Sequence, residues 1–139
     1  MDTKVIDAIR RRVAEEAYAR KLGLTLRKVE PGYALVEMVL NDDMGNIFDM
    51  AHGGAIFSLI DEAFETAGQT DGTIAVALNV NVTYVSSPEP ESRLRAEARQ
   101  VSLTKKTAGY MIRVTDQEGR LIATCQALAY RTGKPIPFL

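Results

Sequence analysis

The residues best suited to chemistry lie together near the middle of the chain. His52, the only histidine, is followed directly by Gly53 and Gly54. Beyond the glycines, Asp61 and Glu65 interrupt an otherwise apolar run of good helix formers. Because burying a charge without partners is costly, carboxylates in such a run indicate a functional role.

The glycines suggest what the carboxylates act with. The first N–H groups of a helix lack partners within the helix and carry the positive end of its dipole. Gly53 and Gly54 therefore form a candidate oxyanion hole, and Asp61 is a candidate base or nucleophile. Asp61 lies eight residues after Gly53, which is ~12 Å along a helix axis. Since one carbonyl group cannot touch both, we infer a dimer whose sites combine residues of two copies.

The composition indicates one ordinary globular domain. The chain has 139 residues, 46% of them hydrophobic and 25% charged, which predicts a single domain over residues 1–139. Its net charge of −1 argues against nucleic acid or an anionic membrane surface as a partner. No apolar run approaches the length of a membrane span, and no signal-peptide pattern opens the chain. We therefore expect a cytoplasmic protein without a membrane partner.

The scarcity of cysteine and histidine limits the metal and redox chemistry. Cys125 is the only cysteine, so no internal disulfide can form, which fits a reducing compartment. Cys125 lies in an apolar strand and is predicted to be a core residue. One cysteine and one histidine argue against a zinc site. We expect no metal and no cofactor.

Hydrophobic spacing predicts an α+β fold. An amphipathic helix is expected over residues 4–21, with Gly23 as its stop, and a second, more apolar helix begins at Gly53. The predicted strands cover residues 24–29, 33–40, 73–85, 92–101, 107–115 and 121–130, and a proline-containing tail follows over 131–139. Short turns between successive strands imply an antiparallel sheet, which only the central helix is apolar enough to cover. An antiparallel sheet of about six strands wrapped around one long helix, with an extra N-terminal helix, is the hotdog architecture.

The spacing of the central residues resembles a family motif. Asn46 is followed six positions later by His52, Gly53 and Gly54, and Asp61 comes eight residues after Gly53. This pattern resembles that of hotdog-fold thioesterases of the PaaI type, the phenylacetate-pathway and acyl-CoA thioesterase group. The resemblance extends over most of the chain.

The resemblance implies that an acyl-CoA is hydrolysed at a dimer interface, and it implies a role for each of several residues. Asp61 of the neighbouring subunit would attack the thioester carbonyl or activate water, and the Gly53 N–H would hold the oxyanion. Asn46 and His52 would position water and the thioester. Coenzyme A enters only as part of the substrate, and relatives commonly form a dimer of two such dimers. Asp49 and the turn at 88–92 depart from the family pattern near the substrate entrance, so an aryl- and a medium-chain acyl group both stay open.

A second group of residues is predicted to contact substrate. These residues are Gly54, Glu65, Asn79, Arg93, Lys105 and Lys106. Arg93 and the two lysines would bind CoA phosphates at the rim of the dimer, although charged turn residues are usually only solvated. Glu65, one turn after Asp61, would hold water or raise the proton affinity of Asp61. Glu62 is expected to be structural or solvated at a subunit edge.

Two other functions fit the same fold. Acyl-CoA dehydratases and hydratases need a histidine–carboxylate pair that moves a proton at carbon, and His52 is the only histidine available. Its position before two glycines suits polarisation of a carbonyl better. The other alternative is an acyl-CoA-binding module without catalysis, which would bind acyl-CoA without releasing free thiol.

Overall fold

The computed structural model describes residues 3–139 as a six-stranded antiparallel sheet, three α-helices and a short 3-10 helix (Asp42–Met44). In chain order the elements are α1 (Thr3–Ala14), α2 (Ala17–Leu22), β1 (Thr25–Glu30), β2 (Tyr33–Val39), α3 (Gly53–Gly68), β3 (Thr73–Tyr84), β4 (Arg93–Leu103), β5 (Thr107–Thr115) and β6 (Leu121–Pro135). The strands lie in the order β1-β2-β4-β5-β6-β3, and α3 packs against β2, β3, β4 and β5. None of the described helices combines the length and the apolar character that crossing a membrane requires.

The central helix α3 buries one face against the sheet. Its buried apolar residues are Ile56, Leu59, Ile60, Ala63, Phe64 and Ala67. Each larger side chain among them adds about 1.5–3 kcal/mol of hydrophobic stabilisation. Phe57 on the same helix is apolar but 37% exposed. It lies with Asp61 and Glu65 on the opposite face, which solvent reaches in the protomer.

Strand β4 packs against α3 and buries one of its two faces. Leu94, Ala96 and Ala98 alternate along the strand and are fully buried. Arg93 and Arg95 point to the other side and are exposed. The two sets differ in this way because successive side chains of a strand point to opposite faces.

The N-terminal helix is not continuous, contrary to the prediction for residues 4–21. It ends at Ala14, and a new helix starts at Ala17. Gly23 stops this second helix as expected, with a left-handed backbone at φ 69°. Glu16 precedes α2 at the capping position, but its side chain makes no capping hydrogen bond. The break instead leaves the carboxylate of Glu16 facing α3.

The last strand is longer than predicted. Residues 131–135 belong to β6 and not to an irregular tail. Arg131 pairs with Ala75, and Pro135 pairs with Thr73. Gly133 and Pro135 are unfavourable in a strand, so the sequence does not predict one here. The strand forms because the beginning of β3 pairs with it.

Strand β3 forms one edge of the sheet and runs back along α3. Gly68 at the end of the helix lies beside Ala75, since a Cβ on Gly68 would be 3.8 Å from that of Ala75. At the other end, the Tyr84 hydroxyl reaches the carbonyl of Gly53. One side of β3 has no partner strand in the protomer, and Leu78 on it is 57% exposed.

Candidate active site

His52 organises the start of α3. Its Nδ1 accepts a hydrogen bond from the Gly54 N–H at 2.8 Å, and its own N–H donates to the Met44 carbonyl at 2.7 Å. A Cβ on Gly54 would lie only 3.1 Å from that Nδ1, so glycine at this position avoids steric crowding of the hydrogen bond. Because Nδ1 accepts this bond, Nε2 is the ring nitrogen that can donate. His52 is therefore a helix cap that presents one N–H donor outward.

Gly53 supplies the unused donor of this helix end. Its N–H has no hydrogen-bonding partner within residues 3–139, whereas its carbonyl accepts from the Tyr84 hydroxyl at 2.9 Å. The N–H lies in the first turn, where the helix dipole favours negative charge. A groove of about 300 Å³ opens here, with Met50, Ile56 and Val85 among its apolar walls. This end of α3 is thus suited to hold a carbonyl oxygen that gains negative charge.

Tyr84 was not predicted as part of the site. It lies at the end of β3, and its contact with Gly53 exists only because β3 folds back along α3. A Cβ on Gly53 would meet the Tyr84 ring at 3.3 Å, so the two residues are close-packed. No local sequence signal marks this pairing, since 31 positions separate the residues.

Asn46 shapes the loop that leads to the helix. Its side-chain oxygen accepts hydrogen bonds from the N–H groups of Phe48 at 2.8 Å and Met50 at 3.1 Å. This is the turn-forming role of asparagine. The oxygen is thereby committed to the loop, and only the amide nitrogen is left for water or substrate.

Asp61 lines a different groove. This groove measures about 230 Å³ and lies between α3 and the edge of the sheet, with Phe64, Glu65 and Val76 among its walls. Burial by the surrounding protein raises the pKa of Asp61, and the negative charge of Glu16 raises it further. A carboxylate with raised proton affinity is a better base than a free one.

The two predicted catalytic groups do not meet within one protomer. The groove at Gly53 and the groove at Asp61 share no lining residue. Both grooves border β3, one at its Tyr84 end and the other at Val76. Gly53 and Asp61 lie on one uninterrupted helix, so they are ~12 Å apart along its axis.

Two glutamates lie beside Asp61 on α3. Glu62 is 5% exposed, so of its two expected roles the solvated one is wrong and the structural one stays a prediction. Burial raises the pKa of Glu62 to about 10, with the neighbouring Glu16 and Glu65 adding to the effect. Burial and Glu16 likewise raise the pKa of Glu65 to about 7. The helix periodicity places Glu62 on the inner side, but its neighbour Glu16 comes from a remote element.

The predicted phosphate contacts lie far apart in the protomer. Lys105 and Lys106 belong to the turn after β4, whereas Arg93 begins that strand. Eleven residues of β4 span ~36 Å at ~3.3 Å each. Arg93 also lies 3.8 Å from Glu37. One protomer therefore does not bring the three cations to a common phosphate.

The other two predictions outside the helix differ in their outcome. Asn79 lies exposed on the edge strand β3, next to an irregularity in its pairing with β6. Its contact with substrate stays a prediction. Cys125 is a core residue as predicted, with 2% of its surface exposed. Burial raises the pKa of its thiol to about 11, which makes it a poor nucleophile.

Comparison with known proteins defines the class of this enzyme. The family model of the thioesterase superfamily matches residues 48–123, more than half of the chain. The chain therefore belongs to the thioesterase superfamily and is a thioester hydrolase. Within it, the chain is similar to the PaaI type, as the motif around His52 predicts, and the hotdog fold is confirmed.

The individual relatives cover nearly the whole chain. A protein of Archaeoglobus fulgidus is 37% identical over 84% of this chain and 75% of its own length. The acyl-coenzyme A thioesterase PaaI of Escherichia coli is 30% identical over 87% of this chain and 86% of PaaI. The structure of E. coli PaaI matches with a TM-score of 0.91 and 28% identity, covering 96% of this chain and 97% of that one. A Streptococcus mutans protein solved bound to acetyl CoA matches at 26% identity and a TM-score of 0.77, covering 81% and 91% of the two chains.

Proposed function

We propose that this protein hydrolyses acyl-CoA thioesters at a site that two copies of the chain build together. The observation that carries the proposal is the separation of the unused Gly53 N–H from Asp61, each on its own groove along β3. Relatives that are named for acyl-CoA hydrolysis or solved with acetyl CoA support CoA as the thiol part of the substrate.

The edge strand supports the way in which two copies combine. Tyr84 marks the Gly53 end of β3, Val76 marks the Asp61 groove, and Val80 lies midway between them. Antiparallel pairing of two β3 edges about Val80 would bring Gly53 of one copy beside Asp61 of the other. The exposed apolar side chain of Leu78 and the unpaired strand edge favour such pairing. A dimer of two such dimers stays a prediction from the resemblance, which the mass in solution tests.

The proposed reaction starts with the thioester carbonyl oxygen on the Gly53 N–H. Asp61 of the second copy either takes a proton from water, which adds to the carbonyl carbon, or adds to that carbon itself. The C–S bond then breaks, and the CoA thiolate leaves and takes up a proton. In the second route, water hydrolyses the acyl–Asp61 anhydride to the free acid. The Gly53 donor stabilises the oxyanion in both routes, and such donors supply about 2.7–4 kcal/mol.

Single-turnover hydrolysis in ¹⁸O-labelled water separates the two routes. Label in the Asp61 carboxylate after the first turnover, detected by mass spectrometry of the peptide that contains Asp61, shows that Asp61 is the nucleophile, because only an anhydride lets water add to the Asp61 carbonyl. Label in the product acid alone is expected if Asp61 acts as a base, and it also results if water adds to the substrate side of the anhydride. Trapping with hydroxylamine separates these two cases, because only the anhydride converts the Asp61 side chain or the acyl group to a hydroxamate.

The apolar groove at Gly53 supports an aryl or medium-chain acyl group. Met50, Ile56 and Val85 surround the position at which the carbonyl would lie. A thiol-release assay with a panel of acyl-CoA esters tests the reaction and the acyl class together. We expect turnover with wild type and none with Asp61→Ala. Binding of acyl-CoA without thiol release by wild type would instead favour a non-catalytic binding module.

Subunit mixing tests the shared site. Asp61→Ala and Gly53→Pro each remove one half of every site, so each variant alone should be inactive. In a shared-site dimer, co-expression produces heterodimers that keep one intact pair of groups. A random mixture should then regain roughly a quarter of wild-type activity. No recovery, with heterodimers verified by mass, would show that both groups act within one protomer.

A further inference from the structure

Three carboxylates from two separate elements meet beside α3. Glu16 lies in the break between α1 and α2, and Glu62 and Glu65 lie one turn apart on α3. One carboxylate oxygen of each lies within 4.8 Å of the others. None of the three forms a salt bridge within residues 3–139. Like charges this close destabilise a fold unless protons or a cation compensate them.

A separate observation concerns Thr66 on the same helix. Thr66 is 1% exposed, and its hydroxyl oxygen has no hydrogen-bonding partner among residues 3–139. A helix threonine normally satisfies its hydroxyl on the preceding turn. Thr66 lines a cavity of about 310 Å³ together with Glu16, Glu65 and Arg12, and Glu62 lies outside this lining. In the described part of the chain, one oxygen of Glu16 and one of Glu62 are also buried without a partner.

We propose that Glu16, Glu62, Glu65 and Thr66 bind a hard divalent cation such as Ca²⁺, Mn²⁺ or Mg²⁺. Carboxylate and hydroxyl oxygens are the ligands that these ions prefer, and water in the cavity would complete the coordination. The cation would neutralise the crowded carboxylates and give the Thr66 hydroxyl a partner. The expectation of no metal from the sequence rests on the scarcity of cysteine and histidine. These residues are ligands for zinc, whereas Ca²⁺, Mn²⁺ and Mg²⁺ bind to oxygen ligands.

The proposed site has a structural consequence. Glu16 comes from the break between α1 and α2, whereas the other three proposed ligands lie on α3. A bound cation would therefore tie the break between α1 and α2 to the central helix. Because a ligand that binds only the folded state stabilises it, the melting temperature should rise with cation concentration.

Calorimetric titration of chelator-treated wild type with Ca²⁺, Mn²⁺ and Mg²⁺ tests the proposal. We expect saturable binding of at least one ion, at one site per chain, and a rise in melting temperature with that ion. Glu62→Gln, which keeps the side-chain size, should abolish both effects. Glu15→Gln is the matched control, because Glu15 is the adjacent exposed glutamate outside the cluster.

Two further variants keep the test decisive if Glu62→Gln folds poorly. Glu16→Gln, at a less buried position, should also abolish binding. Thr66→Val, which removes only the hydroxyl, should weaken it. Absence of saturable binding by all three ions at roughly millimolar concentration overturns the proposal. So does binding that both Glu→Gln variants retain. These readouts do not involve thioester hydrolysis, so they stand or fall separately from the proposed function.

Discussion

Two carboxyl groups of this protein are buried to the same extent and surrounded in opposite ways. Asp116 is 6% exposed and Glu62 is 5% exposed. Asp116 accepts hydrogen bonds from the N–H groups of Glu118 and Arg120, both at 2.9 Å, and these contacts hold its pKa below the ordinary value. One oxygen of Glu62 is buried without a partner in the part of the chain that the structure describes, and burial raises the pKa of Glu62 to about 10.

The difference separates a structural carboxylate from those kept for another purpose. Asp116 finds its donors within four residues, in the turn that it stabilises between β5 and β6. Asp61, Glu62 and Glu65 on α3 have no such local donors, because the N–H groups of a helix interior are already bonded within the helix. We therefore expect that removing the carboxylate of Asp116 lowers the stability of the protein. Removing the carboxylate of Asp61 should instead lower its activity.

The largest effect should come from Asp61. Asp61→Asn keeps the shape of the side chain but removes its basicity, and we expect kcat/KM to fall about 10²–10⁴-fold. Its melting temperature should equal or exceed that of wild type, because a carboxylate with a raised pKa is removed. Asp116→Asn, the control, should hydrolyse at the wild-type rate. Similar activity losses in the two variants would remove the distinction.

The next largest effect should come from the N–H group of Gly53 at the start of α3. Gly53→Pro removes the N–H at the first helical position, where proline is well tolerated, and His52 before it has the extended backbone that proline requires. We expect kcat to fall about 10²–10³-fold. Gly53→Ala is the matched control, since it adds a Cβ near Tyr84 but keeps the N–H. Equal losses in both variants would assign the effect to crowding of Tyr84.

A smaller effect is expected at His52, whose Nδ1 is already satisfied. His52→Ala removes the cap on the Gly54 N–H, and the free energy of unfolding should fall by about 1 kcal/mol. His52→Asn supplies another good cap and should recover most of that stability. Chemical denaturation measures both. If His52→Asn regains stability but not activity, the outward Nε2–H takes part in the reaction.

The smallest effect should be the pH dependence of the Asp116 turn. The pKa of Asp116 is lower in the folded state than its ordinary value of 3.8. The ionised group therefore stabilises the fold above that value, and the stabilisation is lost as the pH falls through the folded-state pKa. Asp116→Asn should be less stable than wild type at neutral pH, and the gap should close in acid. A gap that is constant with pH would show that charge plays no part.

Much of the fold was predictable because it repeats a local period. Leu94, Ala96 and Ala98 alternate along β4, and the apolar spacing of α3 marks the central helix. The break before Ala17 was not predictable, since the helical spacing continues across it. The end of β6 was missed because pairing with β3 compensates for Pro135.

The residues of the candidate site likewise fall into those that the sequence predicts and those that it does not. Gly53, His52 and Asp61 carry signals in their type and spacing, and the structure adds that His52 is a cap. Tyr84 and Glu16 carry none, because each reaches α3 from a remote part of the chain. Residue spacing reports on groups within one element, whereas contacts between elements depend on how these pack.

The burial of Cys125 has a practical consequence for experiments on this enzyme. It is the only thiol in the chain, and it lies on β6 between Ile112 of β5 and Val82 of β3. A chromogenic thiol reagent added to the native enzyme should therefore report released CoA with little background. When the edge strand separates from β6, the same reagent should label Cys125. The labelling rate of Cys125 therefore measures how often β3 separates locally from β6. This is the edge through which we propose that two copies associate.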